Sequence, residues 1–77
     1  MKKIIVLGPG CPRCESLAEL AAQAADQIGV DYELEKLTDI KQFASYGVMM
    51  TPGLVVDGEL KVQGRVPSLE EIKSMLA

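Results

Sequence analysis

Histidine and tryptophan are missing from this chain of 77 residues, and only two cysteines and three other aromatic residues are present. Without histidine there is no imidazole to act as base, proton shuttle or metal ligand. A secreted disulfide scaffold of this size would carry four or more cysteines, so two point to redox or metal chemistry in a reducing compartment. The net charge of −3, with acids scattered along the chain, leaves no basic stripe for nucleic acid. No stretch approaches the ~20 apolar residues of a membrane span. After Lys2 and Lys3 only Ile4 to Leu7 are apolar, too short a run for a signal-peptide core and the right length for a strand. There is no repeat, linker or low-complexity tract. One soluble domain over residues 1–77, cytoplasmic and monomeric, is expected.

What is present is a β-rich apolar run, Lys3 to Leu7, ended by Gly8-Pro9-Gly10. Such a run reads as a buried parallel strand. Cys14, Leu17, Ala21, Ala24 and Ile28 then recur at helical spacing, which predicts a helix from about Pro12 to Ile28 with Gly29 as its stop. Val30, Tyr32 and Leu34 alternate with Asp31, Glu33 and Glu35, as expected of a strand at a charged sheet edge. Thr38 is a candidate cap for a short helix turning Ile40, Phe43 and Ala44 inward and closing near Gly47. Leu54–Val56 and Leu60–Val62 flank Asp57-Gly58, a hairpin signal. Ser68 and Glu71 form a capping box ahead of Leu69, Ile72 and Leu76. The order is β-α-β-α-β-β-α. The helical crossover makes the first two strands parallel and the hairpin makes the last two antiparallel, giving a four-stranded mixed sheet with helices on both faces.

The chemistry falls where the first strand turns into the first helix. Cys11-Pro12-Arg13-Cys14 holds both cysteines, three apart. A helix N-terminus offers unpaired N–H groups and partial positive charge, which favour a thiolate. Pro12 suits the first helical turn, since its missing N–H would have no partner there. Cys11 is then exposed at the N-cap as the attacking thiolate. Cys14, on the stripe of Leu17 and Ala21, is partly buried as the resolving thiol, and Arg13 adds a favourable charge. Gly8-Pro9-Gly10 lacks the Lys-Ser/Thr or third glycine of a phosphate-binding loop.

The C-P-x-C after strand one, the element order and Thr51-Pro52 before strand three resemble the thioredoxin-fold small redox proteins, in their compact, glutaredoxin-sized form from bacteria and archaea. The resemblance covers essentially the whole chain. It implies a cis bond between Thr51 and Pro52, with the Pro52 ring facing the two sulfurs and shielding them from metal. It also implies that the Thr51 main chain pairs with bound substrate. Only about 5–6% of X–Pro bonds are cis, so this expectation rests on the resemblance. Gly10, Met50 and Gly64 are candidate partner contacts. Gly64 doubles as a turn residue of positive φ, Arg65 is expected to be a solvated charge, and Tyr46, Met49 and Met50 are core packing or a soft apolar rim.

The resemblance implies a thiol–disulfide oxidoreductase that needs no cofactor or metal of its own, acts on disulfide-containing proteins and is re-reduced by an external enzyme. The tryptophan that commonly precedes the motif is absent, and no acid lies within Ile4–Leu7. Gly64-Arg65-Val66-Pro67-Ser68 stands where glutaredoxins carry a Gly-Gly-x-Asp run for glutathione. A thioredoxin-reductase-like flavoprotein is therefore favoured over glutathione as donor. The competing readings use the same two cysteines, either as a Cu(I) chaperone-like module or as a bridged iron–sulfur cluster carrier. A chaperone of that type would follow βαββαβ and end in a strand.

Overall fold

The structure, a computed structural model, describes residues 2–8 and 12–77. Its elements run β1 (Lys2–Leu7), α1 (Pro12–Ile28), β2 (Tyr32–Leu37), α2 (Ile40–Phe43), a 3-10 turn (Ala44–Tyr46), β3 (Gly53–Val56), β4 (Glu59–Gln63) and α3 (Leu69–Leu76). The sheet order is β2-β1-β3-β4. β1 pairs in parallel with β2 and antiparallel with β3, and β3 pairs antiparallel with β4. This is the expected mixed α/β sheet.

Alternation along the two central strands builds two cores. Ile4 and Val6 of β1 and Leu54 and Val56 of β3 face α1 and α3, meeting Leu17, Ala21, Ile72 and Leu76. Ile5, Leu7 and Val55 face the other way, onto Phe43 and Val48. Each strand residue thus buries its side chain on one face or the other, which is why these runs are continuously apolar. The alanine stripe of α1 lets that helix lie close to the sheet. A bulge in the β3–β4 pair, where Leu54 faces Val62 and Val55 faces Leu60, makes Lys61 the extra residue. Leu60 and Val62, two apart, consequently serve opposite cores.

Three local expectations are corrected. β2 begins at Tyr32 rather than Val30 and extends to Leu37, because its register follows β1 from Lys2↔Tyr32 to Leu7↔Leu37. Asp39, not Thr38, caps α2, its carboxylate accepting the Lys41 N–H at 3.0 Å. The helix is then a single turn passing into the 3-10 segment. Only Phe43 reaches the core; Ile40 is 69% exposed and Ala44 is exposed. One turn has room for a single inward anchor. Ser68 does cap α3, accepting the Glu71 N–H at 3.3 Å. No helix among the described residues is long and apolar enough to cross a membrane.

Candidate functional site

The site assembles at the end of the sheet where β1 finishes. Leu7, the last residue of β1, pairs with Leu37 on one side and Gly53 on the other. Gly8 continues past it, donating its N–H to the Leu37 carbonyl at 3.0 Å. Leu7↔Gly53 is the last pair of this ladder, and Gly8 and Pro52 each lie one residue beyond it. The same end of the sheet therefore receives the approach to the cysteine motif, the end of β2 and the segment entering β3.

Cys14 lies in the first turn of α1 and is 5% exposed, among the helix residues that face the sheet. It rests directly on Gly8. A Cβ at residue 8 would overlap the Cys14 sulfur and come within 2.9 Å of its Cβ. Glycine at position 8 thus leaves the space that the sulfur fills. Arg13 is exposed. Glu15 is tied to Lys36 of β2 by a 2.8 Å ion pair that joins the start of α1 to the end of the edge strand. Cys11 and Gly10 lie outside the described residues. Pro12 opens α1, as its fixed φ suits.

At the entry to β3, the Thr51–Pro52 peptide is cis and the Pro52 ring is fully buried. The Pro52 carbonyl accepts the Gly64 N–H at 2.9 Å. Gly64 has φ +78°, and a Cβ there would come within 3.2–3.4 Å of the Met50 side chain. Met50 is therefore seated against Gly64, yet 62% exposed, and Met49 is 91% exposed. With Ile40, these are the exposed large apolar side chains among the described residues, and all three project from segments at this end of the sheet. Tyr46 packs instead against the Phe43 core. Among the described residues, no hydrogen bond uses the Thr51 main chain.

Arg65 is not simply solvated. Its guanidinium meets Glu71 at 2.8 Å, and this hydrogen bond, with the Ser68 contacts to the same residue, holds the Glu71 carboxyl below its ordinary range. The pair anchors the segment after Gly64 to the start of α3.

The chain matches the Thioredoxin domain family over residues 2–77. The chain belongs to the thioredoxin family. Over 77 residues it is 46% identical to a protein named Thioredoxin from Methanothermobacter thermautotrophicus, and the match covers the whole of both chains. A Thioredoxin from Methanocaldococcus jannaschii is 38% identical over 76 residues, covering 99% of this chain and 87% of the relative. Membership of the thioredoxin family makes the chain a thiol–disulfide oxidoreductase. Disulfide substrates and a reductase partner follow in general terms.

Two residues of the site were not legible in the sequence as site residues. Gly8 reads only as the first residue of a turn, and nothing local announces that Cys14 will lie on it. Gln63 reads as an exposed polar residue at the end of β4, yet its side chain reaches the segment before Pro52. No signal in the sequence marks that contact, which spans 13 and 14 positions.

Proposed function

We propose that this protein reduces protein disulfides through Cys11 as nucleophile and Cys14 as resolving thiol. The Cys11 thiolate attacks one sulfur of a substrate disulfide, forming a Cys11–substrate bond and expelling the other sulfur as a thiolate. Cys14, once deprotonated, attacks the Cys11 sulfur. The mixed disulfide breaks, the second substrate thiolate leaves and a Cys11–Cys14 disulfide forms. Two electrons pass from the dithiol to the substrate, and the substrate thiolates take up protons from solvent. An external flavoprotein reductase of the thioredoxin-reductase type restores the dithiol. Glutathione is disfavoured because Gly64–Ser68 offers no Gly-Gly-x-Asp run for its carboxylate.

The observation that carries this reading is the burial of Cys14 against Gly8 just past β1, at the sheet end where the buried Pro52 leads into β3. A thiol held there in the first turn of α1 is suited to answering the residue that opens the motif, not to meeting a bulky substrate first. Pro12 and Arg13 set the start of that helix. Thr51 offers an unused main-chain edge beside Pro52, suited to pairing with an extended substrate segment. Met50 and Gly64 provide an apolar rim against which that segment can lie. We place this chemistry in a reducing cytoplasm, on the evidence of a lone cysteine pair, and assign it to a monomer of one domain.

The test is a trapping experiment with insulin as the disulfide probe. Cys14→Ser should accumulate a stable mixed disulfide through Cys11, while Cys11→Ser should reduce no insulin and trap nothing. Trapping through Cys14 alone, or undiminished turnover in the Cys11→Ser protein, would overturn the assignment.

A further inference from the structure

The side chain of Gln63 performs a task that neither the family assignment nor the sulfur chemistry explains. Its Oε1 accepts the N–H of Met49 at 2.8 Å and the N–H of Met50 at 3.2 Å. Two backbone donors converge on one atom, so the amide must present its oxygen to them and its NH2 to solvent. The next residue of β4's continuation, Gly64, donates its N–H to the Pro52 carbonyl at 2.9 Å. Three hydrogen bonds thus lace the end of β4 to the segment 49–52. Thr51, inside the laced segment, uses none of its own main-chain groups among the described residues.

The direction of these bonds matters. With the Met49 and Met50 N–H groups turned toward Gln63, both methionine side chains are left to solvent, at 91% and 62% exposure. Met49 gains almost nothing from burial and Met50 packs only in part, against Gly64, so apolar packing alone does not fix this conformation. A single acceptor does so, from a residue that the β3–β4 pairing places opposite Gly53. Free N–H groups in such a segment would otherwise bond water and sample many orientations, and an edge that must pair with a substrate would then have to be ordered, at a cost in entropy, on each encounter.

We propose that Gln63 is a positioning residue for substrate recognition: its side-chain oxygen locks Met49 and Met50 so that the Thr51 edge is ordered before a disulfide-bearing segment arrives. This rests on the reading that Thr51 pairs with substrate and Cys11 attacks it. Gln63 bonds the main chain of Met49 and Met50, so its role is assigned to binding rather than to the exchange step.

The experiment uses the pre-reduced full chain in single turnover against an oxidised peptide carrying one intramolecular disulfide, over a range of peptide concentrations. Gln63→Leu keeps the shape and removes the acceptor. It should raise the half-saturating peptide concentration about three- to tenfold, the range expected for a hydrogen bond of ordinary net strength. The limiting rate and the midpoint potential of the dithiol should not change. Gln63→Glu keeps an oxygen for both N–H groups and should return half-saturation to within about twofold of the parent. Amide hydrogen exchange should accelerate at Met49 and Met50 in Gln63→Leu and in Gln63→Ala but not in Gln63→Glu. Half-saturation unchanged in both Leu and Ala variants, or a Glu variant as impaired as the Leu variant, would overturn the proposal. Cys11→Ser in the same assay separates the two readings. If it still turns over, the exchange mechanism fails; if it is inert while the Gln63 variants match the parent, only the positioning role fails.

Discussion

Gly8 and Cys14 touch so closely that no further carbon fits between them: a methyl group on residue 8 would overlap the Cys14 sulfur. The resolving thiol proposed for this chain is thus seated by the absence of a side chain at the residue that directly follows β1.

Gly8→Ala tests that seat. The methyl must push Cys14 and the first turn of α1 away from the sheet. Overpacking of this kind costs about 1–3 kcal/mol, measurable by denaturant unfolding. The rate at which Cys14 resolves a mixed disulfide should fall as well, read by quenched alkylation and mass. A variant equal to the parent in both would show that the first turn of α1 yields freely.

Gly64→Ala meets two obstacles, a φ of +78° and Met50 at 3.2–3.4 Å. The left-handed conformation alone costs an L-residue about 1–2 kcal/mol. Displacing Met50 should in addition lower kcat/KM for insulin. Stability and kcat/KM should both fall, in unfolding and insulin-reduction assays respectively.

Asp57 links the hairpin turn to β1. Its carboxylate accepts the Lys3 N–H at 2.9 Å, its own N–H donates to the Lys3 carbonyl at 2.8 Å, and Lys2 lies 3.5 Å away. The Lys3 N–H, aided by Lys2, holds the Asp57 carboxyl below its ordinary range. A lowered folded pKa contributes stability that is present above the unfolded value of about 3.9 and is lost as pH falls through the folded value. Asp57→Asn keeps an acceptor and tolerates the φ of +52°. It should lower stability at neutral pH toward the value the parent has once Asp57 is protonated, change it less in acid, and so flatten the acid slope. Chemical unfolding at pH 7 and pH 3 measures this; an unchanged acid slope would show that Asp57 is not among the groups that drive acid unfolding.

Ile72 and Ile40 should behave oppositely. Ile72 is fully buried between α3 and the sheet, whereas Ile40 is 69% exposed on α2. Ile72→Ala should cost about 2–5 kcal/mol, enough to unfold much of a domain this small. Ile40→Ser should stay within about 0.5 kcal/mol of the parent. Thermal unfolding of the two variants distinguishes them at once.

Long regular patterns in the sequence carried the architecture. The apolar run of β1, the stripe of α1, the Asp57-Gly58 hairpin and the Ser68–Glu71 cap depend on neighbours within a turn or a strand, so they were legible directly. The place of Pro12, Arg13 and Cys14 in the first turn of α1 was legible for the same reason, since a helix start is a local property; Cys11 lies outside the described residues. Where one short element had several ways to lie, the pattern failed. Ile40 matched an inward spacing, yet a single helical turn anchored by Phe43 left it outside, and the register with β1 moved the bounds of β2. Tertiary structure alone decided that Gly8 lies under Cys14, that Gly64 seats Met50 and that Gln63 holds the segment entering Pro52. Each of these contacts joins residues that only the sheet register brings side by side, and packing at that range leaves no periodic trace in the chain.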